Sequence, residues 1–326
     1  MLPAVGTRPE SAGVHAGSAL SSAAVIREAT IDDAPCAAEL FRVVTPEWVT
    51  TSAGMVHFMT TTPPEARRRW WCADVDAVIV GWISAGLVVD TTEPGVAWVS
   101  LAVHPDHRRR GIGSALAAIA EEHLAEVGSR RMHGWSRGDE GSAAFARSRG
   151  FTQTGSHDIL SVDPREVAPP DPPPGVELLP FTAFEDDPTP IHHVDSISVL
   201  DEPGEVTFDH IPFDRWLENF WSHPLLDRDA SCVATVDGVA ATATFLQTDR
   251  ESGSGSNNGT GTLPEFRNRG LATLAKRASL TWAAELGVTR VYTGNDVTNA
   301  PMLAINRRLG YAPWSTMFDW AKDVTG

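Results

Sequence analysis

The chain has 326 residues, of which 42% are hydrophobic and 21% are charged. This length exceeds one average domain and suits two, and the composition is that of a globular protein rather than a disordered or fibrous one. The formal net charge of −16 argues against a general polyanion binder, because nucleic-acid-binding domains present a basic face to phosphates. We therefore expect no nucleic-acid partner, and small partners that are cationic or neutral.

The first 23 residues are rich in Ala, Ser and Gly and lack the basic start and unbroken apolar core of a secretory signal, so a disordered tail is expected there. The longest apolar run, residues 77–89, is too short to cross a bilayer, and no membrane partner is expected. The cysteines Cys36, Cys72 and Cys232 lie far apart without metal-ligand spacing. This usage favours a reducing cytoplasm and predicts no metal site.

A proline-rich stretch over residues 164–175 cannot continue a helix or a central strand and is interpreted as a linker. It separates an N-terminal domain, residues 24–163, from a C-terminal domain, residues 176–326. Each domain opens with a strand-like segment, at residues 24–28 and 175–180, before its first helical stretches. Such self-similarity on both sides of a linker indicates a duplicated unit.

A strand hairpin is predicted in each half by an alternating apolar segment, at residues 72–86 and 232–246. The first has a tight turn at Asp76, and the second turns at Asp237-Gly238, a pair that favours a type I′ turn. Helices and further strands follow both hairpins at nearly equal separations. The repeating unit is therefore mixed α+β.

After each hairpin, a strand runs into an Arg- and Gly-rich turn and then directly into an Ala-rich helix, predicted over residues 114–127 and 273–286. The two turns align without a gap, as Arg108-x-x-Gly111-x-Gly113 and Arg267-x-x-Gly270-x-Ala272. A helix start reached through glycines offers unpaired backbone N–H groups and the positive end of the helix dipole, which suits a pyrophosphate. A lone Gly-x-Gly often serves only as a turn, but two matched copies favour phosphate binding.

These turns resemble the pyrophosphate motif of the GNAT superfamily of N-acetyltransferases, Gln/Arg-x-x-Gly-x-Gly/Ala, and their duplication resembles the tandem type found in mycothiol synthases. The resemblance implies two α+β domains, each a mixed, mostly antiparallel sheet flanked by helices, with acetyl-CoA or another acyl-CoA in a splay between two central strands. The strands entering the motifs would be residues 96–103 and about 257–262. The implied coenzyme-binding residues are Leu101, Ala102, Val103, Arg108, Arg109, Arg110, Gly111, Ile112, Gly113, Ser114, Thr260, Gly261, Thr262, Arg267, Asn268, Arg269, Gly270, Leu271, Ala272, Thr273 and Asn299.

The resemblance also implies that Asn299 faces the coenzyme arm, although Asn equally suits a helix N-cap. The first half has Asp139 at the matching position. This departs from the family pattern, so weaker coenzyme binding is expected in that half. In the family an amide at a strand bulge contacts the thioester carbonyl, and Gly261 suits a bulge. Residues 253–259, a Gly, Ser and Asn run, are predicted to form a mobile loop.

Many family members use a tyrosine to protonate the leaving thiolate, but the matching positions in this chain are Ala146 and Asn306. Asn306 is a catalytic candidate because it would lie where coenzyme and acceptor meet. A carboxylate, or a water held by one, is the usual base for an ammonium acceptor. The candidate carboxylates are Asp90, Glu93, Glu205, Asp209 and Glu251, of which Glu93 and Glu251 are the predicted catalytic residues beside Asn306.

The resemblance predicts a cytoplasmic enzyme that transfers an acetyl or similar group from acyl-CoA to an amine of a small molecule by direct attack. Turnover is expected mainly in the second half, which holds the acidic excess, Asn299 and Asn306. Two alternatives stay open: a coenzyme-A-binding regulatory protein with degenerate catalysis, which the missing tyrosine favours, and a protein N-acetyltransferase. The oligomeric state is not predicted.

Overall fold

The structure, a computed structural model, describes residues 24–201 and 211–324. The tail expected over residues 1–23 and the candidate carboxylates Glu205 and Asp209 lie outside this range. None of the helices in the described ranges is long and apolar enough to cross a membrane.

Both halves repeat one order of elements, in which five strands and four helices are followed by a long final strand. The strands of the first half are β1 (Val25–Glu28), β2 (Arg69–Val75), β3 (Val78–Leu87), β4 (Val96–Val103), β5 (Arg131–Arg137) and β6 (Thr152–Val162). Its helices are α1 (Ala34–Val44), α2 (Ser52–Thr61), α3 (Ile112–Glu126) and α4 (Glu140–Ser148). The strands of the second half are β7 (Val176–Pro180), β8 (Cys232–Val236), β9 (Val239–Asp249), β10 (Ser254–Thr262), β11 (Arg290–Asp296) and β12 (Ala312–Asp323). Its helices are α5 (Thr189–Ser198), α6 (Phe213–Trp216, continued by a π-helix over Leu217–Trp221), α7 (Leu271–Glu285) and α8 (Ala300–Arg308).

The two predicted hairpins, β2–β3 and β8–β9, turn through residues with positive φ. These are Asp76 and Ala77 (φ 51° and 64°) in the first half and Asp237 and Gly238 (φ 49° and 82°) in the second. Positive φ at both central residues is the backbone of a type I′ turn, whose twist matches that of the flanking strands. The turn type expected for Asp237-Gly238 is confirmed.

All twelve strands join one sheet in the order β1-β2-β3-β4-β5-β12-β6-β11-β10-β9-β8-β7. The final strand of each half completes the other half's sheet, since β6 pairs with β11 and β12 pairs with β5. The two exchanged strands are antiparallel neighbours at the centre of the sheet. Every strand pair is antiparallel except β4–β5 and β10–β11, so the expected mixed, mostly antiparallel sheet is confirmed.

The proline-rich segment leaves β6 through a single 3-10 turn, Pro164–Glu166, and enters β7 at Val176. The strand exchange carries residues from both sides of this segment into each half of the sheet. The division of the chain at residues 164–175 stays a prediction about domain boundaries.

Helices cover both faces of the sheet because neighbouring strand residues point to opposite sides. On β3, Trp82 packs with α1, whereas Ile83 packs with α3 on the other face. On β9, Phe245 packs with α5 and α6, whereas Leu246 packs with α7. The helices α1, α2, α5 and α6 share one face, where Asp90 pairs with Arg215 between the halves. We call this the α1 face.

Candidate functional site

In each half, two central parallel strands separate towards their C-terminal ends. β4 pairs with β5 only over residues 96–98 and 131–133, and β10 pairs with β11 only over residues 254–256 and 290–292. Beyond these positions the strands diverge and leave a wedge-shaped gap. This gap is the splay that the family resemblance implies.

The turn at the end of each gap leads into a long helix through a glycine. Gly111 and Gly270 are the N-cap residues of α3 and α7, with φ of +85° and +78°. A Cβ atom built on either glycine would meet nothing within 4 Å. The space in front of both helix starts is therefore open to a ligand, and each start with its preceding turn is called a cradle below.

The first turns of α3 and α7 present donors to this open space. Ala115 N–H donates to Gly111 O at 3.0 Å and Leu274 N–H donates to Gly270 O at 3.1 Å, so three earlier N–H groups in each helix precede any intrahelical acceptor. These groups belong to Ile112, Gly113, Ser114, Leu271, Ala272 and Thr273. Unpaired N–H groups and the helix dipole fit a pyrophosphate.

The arginine of each motif fixes the shape of its turn. Arg108 Nε donates to Val103 O, and Arg267 Nε donates to Thr262 O, each at 3.0 Å. The next residues, Arg109 and Asn268, share a left-handed backbone with φ of 62°. The gapless alignment of the two motifs therefore reflects one shared backbone geometry. The Nε donor of each arginine bonds within its own turn.

The two cradles differ in the charge of a neighbouring helix N-cap. Asp139 and Asn299 are the N-caps of α4 and α8 and accept hydrogen bonds from the N–H groups of Ser142 and Met302. Burial favours a higher pKa for Asp139, but its bonds from Ser142 and the charge of Arg108 outweigh burial and hold the pKa below its usual value. The first cradle thus has a carboxylate close to Arg108, where the second has a neutral amide.

Two expectations for β10 are wrong. The irregular pairing lies between Asn257 and Gly259 and not at Gly261. At Gly261 a Cβ would come within 2.1 Å of Ser198 Oγ, so glycine there allows α5 to approach the strand. Residues 254–259 belong to the strand rather than to a mobile loop, because their backbone pairs with β9 and in part with β11, and backbone pairing needs no apolar side chain.

The catalytic candidates lie apart from one another. Asn306 on α8 is fully buried, and its Nδ2 donates to Asn295 Oδ1 at 2.6 Å. Glu93 and Glu251 are exposed in the β3–β4 and β9–β10 connections. Each connection lies at the start of β4 or β10, a strand length of about 25 Å from the cradle. Their roles stay predictions.

The chain's tyrosines give no accessible acid. Tyr292 on β11 and Tyr311 before β12 are both buried, and burial raises the pKa of each phenol. Tyr311 lies under Lys276, whose Nζ is 5.5 Å from the ring centroid. A role for either phenol as a proton donor would require its exposure.

Sequence reasoning missed two polar groupings. Lys276 on α7 is buried, and its Nζ lies 2.6 Å from Asn257 Oδ1 beside the irregular part of β10. On the α1 face, His157, Asp296 and Asp319 bring three potential cation ligands within 4.8 Å of one another. The sequence does contain a signal for such groupings, namely a polar residue within an otherwise apolar strand or helix face. Asp319, between Phe318 and Trp320, is an example.

The acetyltransferase (GNAT) family model matches the chain twice, at residues 38–151 and 193–311. The chain is 28% identical over 267 residues to a mycothiol acetyltransferase of Nocardioides sp., which covers 76% of this chain and 82% of the relative. It is 30% identical over 219 residues to a mycothiol acetyltransferase of Clavibacter sepedonicus, with 65% and 68% covered.

Solved structures share the fold. A tandem GNAT protein from the clavulanic acid biosynthesis pathway aligns with a TM-score of 0.71 at 21% identity, covering 93% of this chain and 99% of that one. A GCN5-related N-acetyltransferase from Sphaerobacter thermophilus aligns with a TM-score of 0.69 at 17% identity, covering 93% and 96%. With one family model matching each half, the chain belongs to the acetyltransferase (GNAT) family and is an acyltransferase with a tandem GNAT architecture.

Proposed function

We propose that this protein transfers an acetyl group from acetyl-CoA, or a similar group from another acyl-CoA, to an amine of a small molecule. The observation that carries the proposal is the pair of cradles, each an open helix start reached through a glycine and aligned with a gap between parallel strands. Pyrophosphate oxygens would bind the helix N–H groups, and the pantetheine arm would lie along the gap. The curated relatives named mycothiol acetyltransferases support a small-molecule acceptor.

In the proposed reaction the acceptor ammonium first loses a proton. The free amine then attacks the thioester carbonyl carbon, so that a C–N bond forms and the C–S bond breaks. The attacking nitrogen releases its extra proton to water, and the departing thiolate takes up a proton and leaves as free coenzyme A. A backbone N–H on the gap side of β10 would polarise the carbonyl, and water can supply the final proton, so turnover does not require an exposed tyrosine.

We propose that turnover occurs mainly in the second half. Trp98 and Trp135 lie on the α1 face of the gap between β4 and β5 and narrow it. Their ring centroids are 4.8 Å apart. At the corresponding position β11 has Gly294, which is exposed. The neutral N-cap Asn299 also leaves the second cradle without the negative charge that Asp139 places near the first.

The direct test follows free thiol release from acetyl-CoA with a panel of small amines in a cell-free assay. Thiol release that depends on an amine, with the acetylated amine found by mass spectrometry, is the expected result. Coenzyme binding without release from any amine would instead favour a regulatory protein. Release that occurs only with protein acceptors, identified by intact mass, would favour a protein N-acetyltransferase. The cytoplasm is the proposed location.

A further inference from the structure

A group of tryptophans and carboxylates lies at the centre of the α1 face, where the exchanged strands meet. Trp135 on β5 contacts Trp98 on β4 and Trp48 in the α1–α2 loop, with ring centroids 4.8 Å apart in both pairs and the rings edge to face. Trp48 and Trp135 are each 40% exposed. We call these three residues, with His157, Asp296 and Asp319, the central cluster.

The strand exchange creates this cluster. Asp319 on β12 is the direct cross-strand partner of Trp135 on β5. His157 on β6 is paired with Asp296 on β11, and its ring lies 6.0 Å from the Trp135 ring. Residues from both halves of the chain therefore form one surface that neither half could build alone.

Asp319 has the environment of a cation-binding carboxylate. It is 3% exposed, and its Oδ1 lies 3.0 Å from His157 Nδ1. Its other oxygen, Oδ2, receives no hydrogen bond from any residue in the described ranges. A buried carboxylate oxygen is normally hydrogen-bonded, so an oxygen left in this state points to a positive partner. Gly155 makes room for it, since a Cβ there would come within 2.6 Å of Oδ2.

The loop that brings Trp48 to this surface is held in place. Glu47 is buried, and its carboxylate receives bonds from Arg137 Nη1 at 3.1 and 3.3 Å. The same nitrogen donates to Val44 O at the end of α1. Trp48 is therefore fixed against Trp135 before any ligand arrives, which lowers the entropic cost of binding.

We propose that the central cluster binds the ammonium group of the acceptor, and that the acceptor is a cationic amine. Partly exposed indole rings beside carboxylates offer the groups that recognise an alkylammonium ion. Asp296 lies two residues beyond Gly294 on the same face of β11, so an ammonium held there borders the second-half gap. This inference rests on the proposed acetyl transfer and specifies its substrate class.

Tetramethylammonium tests the cluster without turnover, because it carries the charge and cannot be acetylated. Binding to the full-length protein, followed by tryptophan fluorescence and by saturation-transfer NMR, is expected at millimolar concentration. Trp135→Leu, Asp319→Asn and the half-buried Asp296→Asn should each weaken it at least five-fold. The matched controls Asp323→Asn, on the same strand, and Trp314→Leu, an exposed tryptophan beside Tyr292, should leave it unchanged.

The same variants should raise KM for cationic amines at least five-fold while changing kcat less than two-fold. Unchanged tetramethylammonium binding and unchanged KM in correctly folded Asp296→Asn and Trp135→Leu would overturn the inference and leave the proposed acetyl transfer standing. Retained binding in a protein that acetylates no amine would support the cluster while the proposed function fails. Tight binding of Zn²⁺ alone, lost in Asp319→Asn and without tetramethylammonium binding, would also overturn it.

Discussion

The Nζ atom of Lys276 lies 2.6 Å from the Oδ1 atom of Asn257 inside the second half. The same amide donates from Nδ2 to Thr244 Oγ1 at 2.9 Å and to Phe245 O at 3.0 Å. Lys276 thus connects α7 to the irregular part of β10. Because the side chain is buried, its environment disfavours the charged form, and the pKa of Lys276 is lowered to about 7.

This lowered pKa predicts how stability depends on pH. Between about pH 7 and 10 the unfolded state keeps the Lys276 proton that the folded state has lost, so the free energy of unfolding rises with pH across this range, by roughly 1 kcal/mol per pH unit. Below pH 7 the full penalty is present. Lys276→Met should therefore stabilise the protein at pH 7, and its advantage over the wild type should shrink towards pH 9.

Urea unfolding at pH 7, 8 and 9 measures this difference. The control is Lys322→Met, the only other lysine, which is partly exposed and paired with Glu121. Its effect should be the same at all three pH values. A Lys276→Met effect that is independent of pH would show that the amine is not titrating in this range.

Two coenzyme sites per chain are expected, and each can be blocked separately. Gly111→Glu and Gly270→Glu place a bulky carboxylate in the open space before α3 or α7, where it would clash with and repel a pyrophosphate. Calorimetric titration with acetyl-CoA should give a stoichiometry near two for the wild type and near one for each variant. Gly111→Ala and Gly270→Ala are the matched controls, since each carries the same strain of a non-glycine residue at positive φ without the bulk or charge of Glu.

The acetyl-transfer rates of the same two variants show which half carries out turnover. Gly270→Glu should lose nearly all acetyl transfer, whereas Gly111→Glu should retain most of it. The reverse pattern would assign catalysis to the first half. A stoichiometry near one for the wild type would mean that only one cradle holds coenzyme.

Exchanging the two N-cap residues should exchange part of the affinity difference. Asp139→Asn removes a negative charge close to Arg108, and the first site should bind acetyl-CoA about five-fold more tightly, a change on the order of 1 kcal/mol. Asn299→Asp should weaken the second site by a similar factor. Both residue types cap helices well, so the melting temperature should change little and serves as the control. If neither substitution changed the affinity of its site for acetyl-CoA, the electrostatic argument would be contradicted.

The strand exchange can be trapped by a disulfide. Arg131 on β5 and Asp323 on β12 are cross-strand partners, so cysteines at both positions should form an intramolecular bridge under mild oxidation. Peptide mapping by mass spectrometry detects the link, in a Cys36→Ser background because Cys36 is exposed. The control pair, cysteines at Arg290 on β11 and Asp323, should stay reduced. A bridge in the control alone would show that β12 completes the second half's own sheet.

Much of the candidate site could be predicted from the sequence because its geometry is local. The type I′ turn at Asp237-Gly238 and the cradle glycines Gly111 and Gly270 depend on backbone conformations set within a few residues. The duplication itself was visible because both halves keep these local features at nearly the same spacing. Such signals need no knowledge of distant contacts.

Only the tertiary structure decided which strand lies beside which. Strand pairing uses backbone groups that every residue carries, so the local sequence pattern of β6 or β12 does not reveal that each joins the other half's sheet. The same reason explains why the Gly- and Ser-rich start of β10 resembled a loop, and why Gly261 serves the approach of α5 rather than a bulge. Asp319, Trp135 and His157 are far apart in sequence. The sequence alone determined the duplicated unit and its two matched Arg- and Gly-rich turns, whereas the long-range exchange of strands decided that a carboxylate from the second half lies beside a tryptophan from the first.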